Sequence, residues 1–156
     1  MPASFTYTKL FERAFQGAID FDADTLRAML VRPGYNARRS HDFVSSGPAA
    51  SENSGGNYAR VTLTGASVAV DDTANELELD AADNTFSSPD TAQQVQAVII
   101  YKQVGGDDTT PGDDPLGMYV ARAGADVVGV DTTNDEITIA GDQTADFASG
   151  DDIKLN

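Results

Sequence analysis

Alternating carboxylates at Asp20, Asp22 and Asp24 are the first residues in the chain whose spacing is compatible with cation binding. An EF-hand loop adds further oxygen ligands and ends on a bidentate Glu at its twelfth position. That position is Val31 here, which has no side-chain oxygen. The sequence therefore predicts a polar turn that leads into a strand, and not a calcium loop.

His41 is the only histidine, and it is the only side chain whose ordinary pKa lies near neutrality. Histidine catalysis needs a nucleophile or a paired carboxylate beside the ring, and no such constellation accompanies His41. The chain has no cysteine, which excludes thiol catalysis, disulfides and cysteine-ligated zinc. We therefore expect no catalytic residue, no cofactor and no enzymatic activity.

Residues 105–115 contain four more carboxylates among Gly, Thr and Pro. A loop that lacks a rigid frame of ligands is more often solvated than metal-bound. The segment is therefore predicted to be an exposed acidic loop. Weak binding of a divalent cation is left open as the alternative.

The net charge of the 156-residue chain is −15, and twenty of its 25 acidic residues are Asp. Such a surface repels phosphates, so nucleic acid is excluded as a partner. The sequence also predicts neither a membrane span nor a signal peptide. The acidity fits a soluble surface with Asp-rich turns, and adaptation to high salt is the alternative.

The charge is distributed unevenly along the chain. Residues 1–42 have six Lys or Arg and five Asp or Glu, a net charge of +1, and residues 43–156 have a net charge of −16. One part of the molecule is therefore nearly neutral and arginine-rich.

A folded scaffold must position the charged and polar residues described above. Its central strand is predicted at 95–102, the longest apolar run in the sequence. The run has no polar alternation, which is typical of a strand buried on both faces. Residues 5–18 are predicted to form a helix, with Thr8 as its N-cap and an apolar face of Leu10, Phe11, Ala14, Phe15 and Ala18. The other predicted strands are 25–31, 58–64, 116–121, a remnant at 153–155, and two hairpins at 68–79 and 128–139.

This pattern predicts a single, mainly β domain over residues 1–156, with 1–20 as an N-terminal helix or arm. About eight short strands favour an antiparallel β-sandwich or a small, jelly-roll-like barrel. The loops are predicted at 36–57, at 80–90, where Phe86 enters the core, and at 142–152. The hairpins at 68–79 and 128–139 align without gaps, which indicates either a duplication or the general similarity of good hairpins.

Several segments, in order, resemble a family of small structural proteins of tailed viruses of bacteria and archaea. They are Tyr7–Glu12, Asp24–Leu30, Glu52–Tyr58, Val68–Asp71, Gln96–Lys102 and Pro115–Tyr119. The resemblance implies a non-enzymatic virion protein, in particular a capsid decoration or cement protein on the surface of the head. A tail, fibre or vertex component is the first alternative, and a cell-surface binding β-sandwich is the second.

A decoration role also fits the polarised charge, because one end can dock on a shell while the other faces solvent. The expected partners are the major capsid protein and copies of the chain itself, as a homotrimer. Arginine is well suited to interface carboxylates. The predicted capsid or subunit interface therefore consists of Arg27, Arg32, Arg38, Arg39 and Phe43, together with the 36–57 loop.

Overall fold

The computed structural model describes residues 5–54, 58–73, 76–82, 84–87, 95–121 and 136–139. These residues form one α-helix and nine strands. The elements are β1 (Phe5–Thr6), α1 (Thr8–Phe15), β2 (Leu26–Val31), β3 (Val61–Thr62), β4 (Ser67–Asp71), β5 (Glu76–Asp80), β6 (Asn84–Ser87), β7 (Ala97–Lys102), β8 (Leu116–Ala121) and β9 (Glu136–Ile139).

A five-stranded antiparallel sheet with the order β1-β8-β7-β2-β3 forms the centre of the protein. The predicted central strand is confirmed, because β7 lies in the middle position of this sheet. It pairs with β2 from Leu26↔Lys102 to Val31↔Ala97. Five of its six residues are buried, as expected for an apolar run without alternation.

The two faces of the sheet bury two separate apolar clusters. The odd-numbered residues of β2 and β7 pack with Tyr7, Tyr35 and Val44 on the first face; they are Met29, Val31, Ala97, Ile99 and Tyr101. The even-numbered residues pack with Phe86 and Val120 on the second face; they are Ala28, Leu30, Val98 and Ile100. Because side chains alternate along each strand, the mainly apolar strands β2 and β7 supply both clusters at once.

The outer edge of β2 is completed mainly by irregular chain, because β3 has only two residues. The Leu30 amide donates to the Tyr58 hydroxyl at 3.0 Å, and the Leu30 carbonyl accepts from the Asn53 amide at 2.9 Å. The Arg32 amide donates to the Ser51 carbonyl at 2.8 Å. Backbone groups on this edge therefore have partners although no long strand covers it.

The prediction for residues 5–18 was partly wrong. Phe5 and Thr6 form a strand, and α1 begins at Thr8, with Tyr7 as the N-cap and no capping side chain. The Tyr7 ring is buried in the first cluster, which fixes the chain ahead of the helix. Leu10 is buried, but Phe15 is 83% exposed, so only part of the predicted face packs on the sheet.

Residues 67–80 confirm the first predicted hairpin, as the antiparallel pair β4–β5. Residues 136–139 of the second predicted hairpin pair with β6, in the register Phe86↔Ile137. The prediction of a loop at 84–87 was therefore wrong, whereas burial of Phe86 is confirmed. The rest of that hairpin, the 142–152 loop and the 153–155 strand lie outside the described residues.

The described part of the predicted 36–57 loop, residues 36–54, has more regular structure than its composition predicts. Two short 3-10 turns, Val44–Ser46 and Pro48–Ser51, lie within it. Val44, Pro48 and Asn53 are buried, so this segment covers one face of the sheet and is not simply exposed.

The fold is thus mainly β, with an open five-stranded sheet and two separate strand pairs among the described residues. The coarse prediction of an antiparallel β protein with one short helix is confirmed.

Candidate functional site

A charged network lies at one end of the sheet, and Arg60 is its centre. The guanidinium makes a two-pronged contact with Glu52, at 2.7 Å from Nε and 2.8 Å from Nη2. Nη1 donates to the Tyr101 hydroxyl at 3.0 Å and lies 3.4 Å from Asp108. The Tyr58 hydroxyl donates to the same Glu52 carboxylate at 2.8 Å. Alternation along the predicted strand 58–64 places Val61 and Leu63 inward and Arg60 outward. That prediction is wrong for Arg60, because its side chain is only 10% exposed.

Asp108 joins this network to the 105–115 loop. It accepts from the Tyr101 hydroxyl at 2.7 Å and from Gln103 at 2.9 Å, and Arg27 lies 3.2 Å away. Burial alone would raise the pKa of Asp108, but these hydrogen bonds and the two nearby arginines lower it below its ordinary value. The carboxylate is therefore ionised at neutral pH and anchors the loop.

Asp114 anchors the other end of the same loop. Its side chain is fully buried and accepts from the Val104 amide at 2.8 Å, and its carbonyl accepts from the Val44 amide at 3.0 Å. Burial raises the pKa of this carboxyl group. Most residues of the predicted exposed acidic loop are exposed, including Asp107 and Asp113. Asp108 and Asp114 are not: Asp108 bonds to Tyr101 of the sheet, and Asp114 bonds to the Val104 amide just after β7.

Buried tyrosines and His41 form a hydrogen-bonded chain on the first face. The Tyr7 and Tyr35 hydroxyls lie 3.0 Å apart, and the Tyr35 hydroxyl lies 2.8 Å from Nδ1 of His41. Burial raises the pKa of both tyrosines, so both stay protonated. Gln96 donates to the Tyr119 hydroxyl and to the Tyr35 carbonyl, which ties the turn after β2 to the sheet. The chain of hydroxyls thus positions the loop that carries His41.

Acidification is expected to destabilise the protein through His41. Burial, and then the positive charge of Arg38, lower the pKa of the imidazole below its ordinary value of about 6.5. The folded state therefore binds the proton less well than the unfolded state. The contribution of the neutral His41 imidazole to the free energy of unfolding is therefore complete above about pH 6.5 and decreases as the pH falls below that value.

Urea denaturation between pH 7.5 and 5.0 measures this effect when wild type is compared with His41→Gln. The urea midpoint of wild type should fall more steeply than that of the variant, which retains only the contribution of the carboxylates. Parallel curves for the two proteins would contradict the role assigned to His41.

The five residues of the predicted interface do not form one surface. Arg27 is held between Asp108 and the Arg60 carbonyl, and Arg32 lies partly buried near the Ala50 carbonyl. Phe43 lies under the Arg13 guanidinium, 4.6 Å from its carbon to the ring centroid. These three residues stabilise the fold.

Arg38 and Arg39 are different, because both are exposed. Arg39 lies over the Phe5 ring at 5.1 Å, and the Arg39 carbonyl accepts from the Thr8 amide at the start of α1. No carboxylate of the described residues forms an ion pair with either side chain. This pair is the part of the predicted interface that remains available for a partner.

A second surface, which the sequence analysis did not predict, is an apolar groove of about 380 Å³ between α1 and the β4–β5 hairpin. Its lining includes Leu10, Phe11, Ala14, Ile19, Phe21, Val68 and Leu79, with Asp20 and Asp22 at one end. Phe15 and Val70 are strongly exposed on the adjoining elements, at 83% and 66%. The signal in the sequence was the narrow, aromatic face of α1, which was expected to pack on the sheet.

Asp20, Asp22 and Asp24 form the predicted turn. The Asp20 amide donates to Asp24, the Asp22 amide donates to Asp20, and Asp24 pairs with Lys102 at 2.8 Å. Within the described part of the chain, no three His, Asp or Glu side chains are close enough together to bind a metal ion.

Comparisons with models of protein families, with curated proteins and with solved structures gave no match. Among the residues that the structure describes, no helix has the length and apolar character needed to cross a bilayer.

Proposed function

We propose that the protein is a non-enzymatic virion component, a decoration protein that binds the major capsid protein on the outside of a tailed-virus head. The observation that carries the proposal is the exposed pair Arg38 and Arg39 on a chain with a net charge of −15. A cationic spot on an otherwise acidic molecule favours docking in one orientation, because the remaining surface repels an acidic partner.

The arginines differ in whether they form ion pairs within the chain, and this difference supports the proposal. Arg13, Arg27 and Arg60 each form an ion pair with a carboxylate of the chain itself. Arg38 and Arg39 lie instead on the segment between β2 and the first 3-10 turn, next to the start of α1. The resemblance to tailed-virus structural proteins indicates the major capsid protein as the partner. Arg38 and Arg39 form the proposed docking surface that contacts it.

We also propose that the architecture is a sandwich. Phe86 of the β6–β9 pair is buried against Ala28, Leu30 and Val98 of the main sheet, and it stacks on Tyr58 with ring centroids 6.1 Å apart. A strand pair that contributes to the core of another sheet is the arrangement expected of a second layer.

Fractionation of particles of the encoding virus tests the assignment directly. The polypeptide should be present on the head at hundreds of copies per particle. A handful of copies would indicate a tail, fibre or vertex component instead, and absence from purified particles would overturn the virion assignment altogether.

Neutralising both arginines tests the docking surface. The variant Arg38→Gln/Arg39→Gln should bind capsids that lack the protein at least about tenfold more weakly for each arginine, since an unpaired partner charge costs about 2 kcal/mol or more. The variant Ala59→Glu/Thr64→Glu is the control, because it makes the same change in net charge at two exposed positions in the acidic part. Equal capsid occupancy for wild type and both variants would contradict the assigned surface.

A further inference from the structure

The groove and the exposed Phe15 lie next to each other on one surface. The groove runs along α1 from Leu10 and Phe11 to Ile19, and Phe15 projects from the same helix beside it. Its volume of about 380 Å³ falls in the range of small-molecule pockets and is large enough for an aromatic ring. A projecting aromatic side chain beside an apolar groove makes this surface complementary to itself, as a twofold contact requires.

The charges at the two ends of α1 are also complementary. Asp20 and Asp22 follow the C-terminal end of the helix along the chain and also line the groove. Lys9 lies in the first turn, at the other end of a helix that is about 12 Å long for eight residues. Lys9 pairs with Glu12 only at the exposed surface, where such a pair contributes little, and Arg13 in the last turn pairs with Asp42 of its own chain. Antiparallel pairing of two helices therefore brings Lys9 of one copy toward Asp20 and Asp22 of the other.

Overall charge favours this region for self-association. Two copies with a net charge of −15 repel each other over most of their surfaces. Residues 1–42, which include α1 and most of the groove, have a net charge of only +1. Contact centred on this part brings together less negative charge than contact through residues 43–156 would, and the acidic β4–β5 hairpin lies at its margin.

We propose that two copies of the chain pair about a twofold axis with their α1 helices antiparallel, so that Phe15 of each copy enters the groove of the other. Val70, on the strand that borders the groove, extends the apolar contact at its edge. This pairing does not depend on the virion assignment, and it replaces the homotrimer predicted from the sequence with a dimer in solution.

Sedimentation equilibrium of the full chain tests the proposal. Wild type should have twice the mass of the monomer at micromolar concentrations, and Phe15→Glu should weaken the dimer at least about thirtyfold, as expected for a central aromatic anchor. Gln16→Glu is the matched control, because it adds the same charge one residue further along, on another side of the helix. Its dimer should persist. The far-ultraviolet circular dichroism spectra of both variants should match that of wild type, since both replaced side chains are exposed and the fold of each copy is retained.

Disulfide cross-linking tests the symmetry independently. A twofold axis brings equivalent residues together, and Ala14, exposed and between the groove and Phe15, is the residue expected nearest the axis. The chain has no cysteine, so Ala14→Cys introduces a single thiol. Ala14→Cys should form a covalent dimer under mild oxidation and Gln16→Cys should not, because a disulfide needs Cα atoms within about 7 Å of each other.

The possible results of these experiments distinguish between the molecules or segments that could occupy the groove. A wild-type monomer up to millimolar concentration would overturn the pairing and leave another segment of the chain or a different partner as the occupant. A trimer would overturn the twofold geometry, and a dimer unaffected by Phe15→Glu would place the contact elsewhere. Capsid occupancy measures the proposed function separately, so failure of one proposal does not mimic failure of the other.

Discussion

Replacement of Ile99 by Asp is expected to unfold the protein. Ile99 is fully buried in the middle of β7, where it pairs with Met29 of β2 and Tyr119 of β8. The new carboxylate would lie in the first apolar cluster without a cation beside it. Burial of an unpaired charge costs several kcal/mol, and the apolar contacts of Ile99 are lost as well. The total is comparable with the ~5–15 kcal/mol that stabilises a typical domain.

Thr62→Asp is the matched control, because it introduces the same carboxylate at an exposed β-branched position of β3. Its free energy of unfolding should change by no more than about 0.5 kcal/mol. Circular dichroism and urea denaturation measure both variants. A cooperative unfolding transition for Ile99→Asp near that of wild type would show that β7 is not the centre of the core.

Loss of the Arg60 guanidinium is expected to have the second-largest effect. Arg60→Met retains much of the length and apolar character of the side chain but leaves Glu52 and Asp108 without their common cation. Removal of one partner from a mostly buried ion pair costs about 3–5 kcal/mol, because the remaining charge is uncompensated. The Tyr101 hydroxyl also loses one of its partners. The loop at 105–115 should become more accessible as a result.

Urea denaturation and limited proteolysis of Arg60→Met measure these two effects. Arg39→Met is the control, because Arg39 is exposed and its loss should change stability by less than about 1 kcal/mol. Adding Glu52→Gln to Arg60→Met should recover part of the loss, since it removes one of the unpaired charges. Equal stability of Arg60→Met and Arg39→Met would contradict the structural role of the network.

The existence of the central strands could be predicted from the sequence, but their order in the sheet could not. The strands at 25–31 and 95–102 were predicted from their apolar residues and the turns that bound them, and the structure pairs them as β2 and β7. The hairpin at 67–80 was predicted because alternation and turn composition are local signals. Element boundaries depend on tertiary contacts instead, which is why Phe5 and Thr6 were assigned to the helix although they pair with β8.

The candidate surfaces were predicted less well than the strands. Arg27 and Arg60 occupy polar positions in β-like sequence. Asp108 is distant from both along the chain, and although Glu52 is eight residues before Arg60, no local pattern indicates that the two will pair. The loop at 105–115 has the composition of a solvated segment, and two of its carboxylates are ordered only by groups on other elements. The groove depends on where the β4–β5 hairpin lies relative to α1, which no short-range pattern encodes.

The irregular chain along the outer edge of β2 has a consequence for behaviour at high local concentration. An exposed row of free amides and carbonyls is a template for strand addition and amyloid-like aggregation. Leu30 and Arg32 have their outward backbone hydrogen bonds satisfied by Tyr58, Asn53 and Ser51, so a strand from another molecule finds no free ladder there. Many copies can therefore lie close together at this edge without forming a continuous intermolecular sheet. Their association depends instead on side-chain contacts, which substitutions can strengthen or weaken.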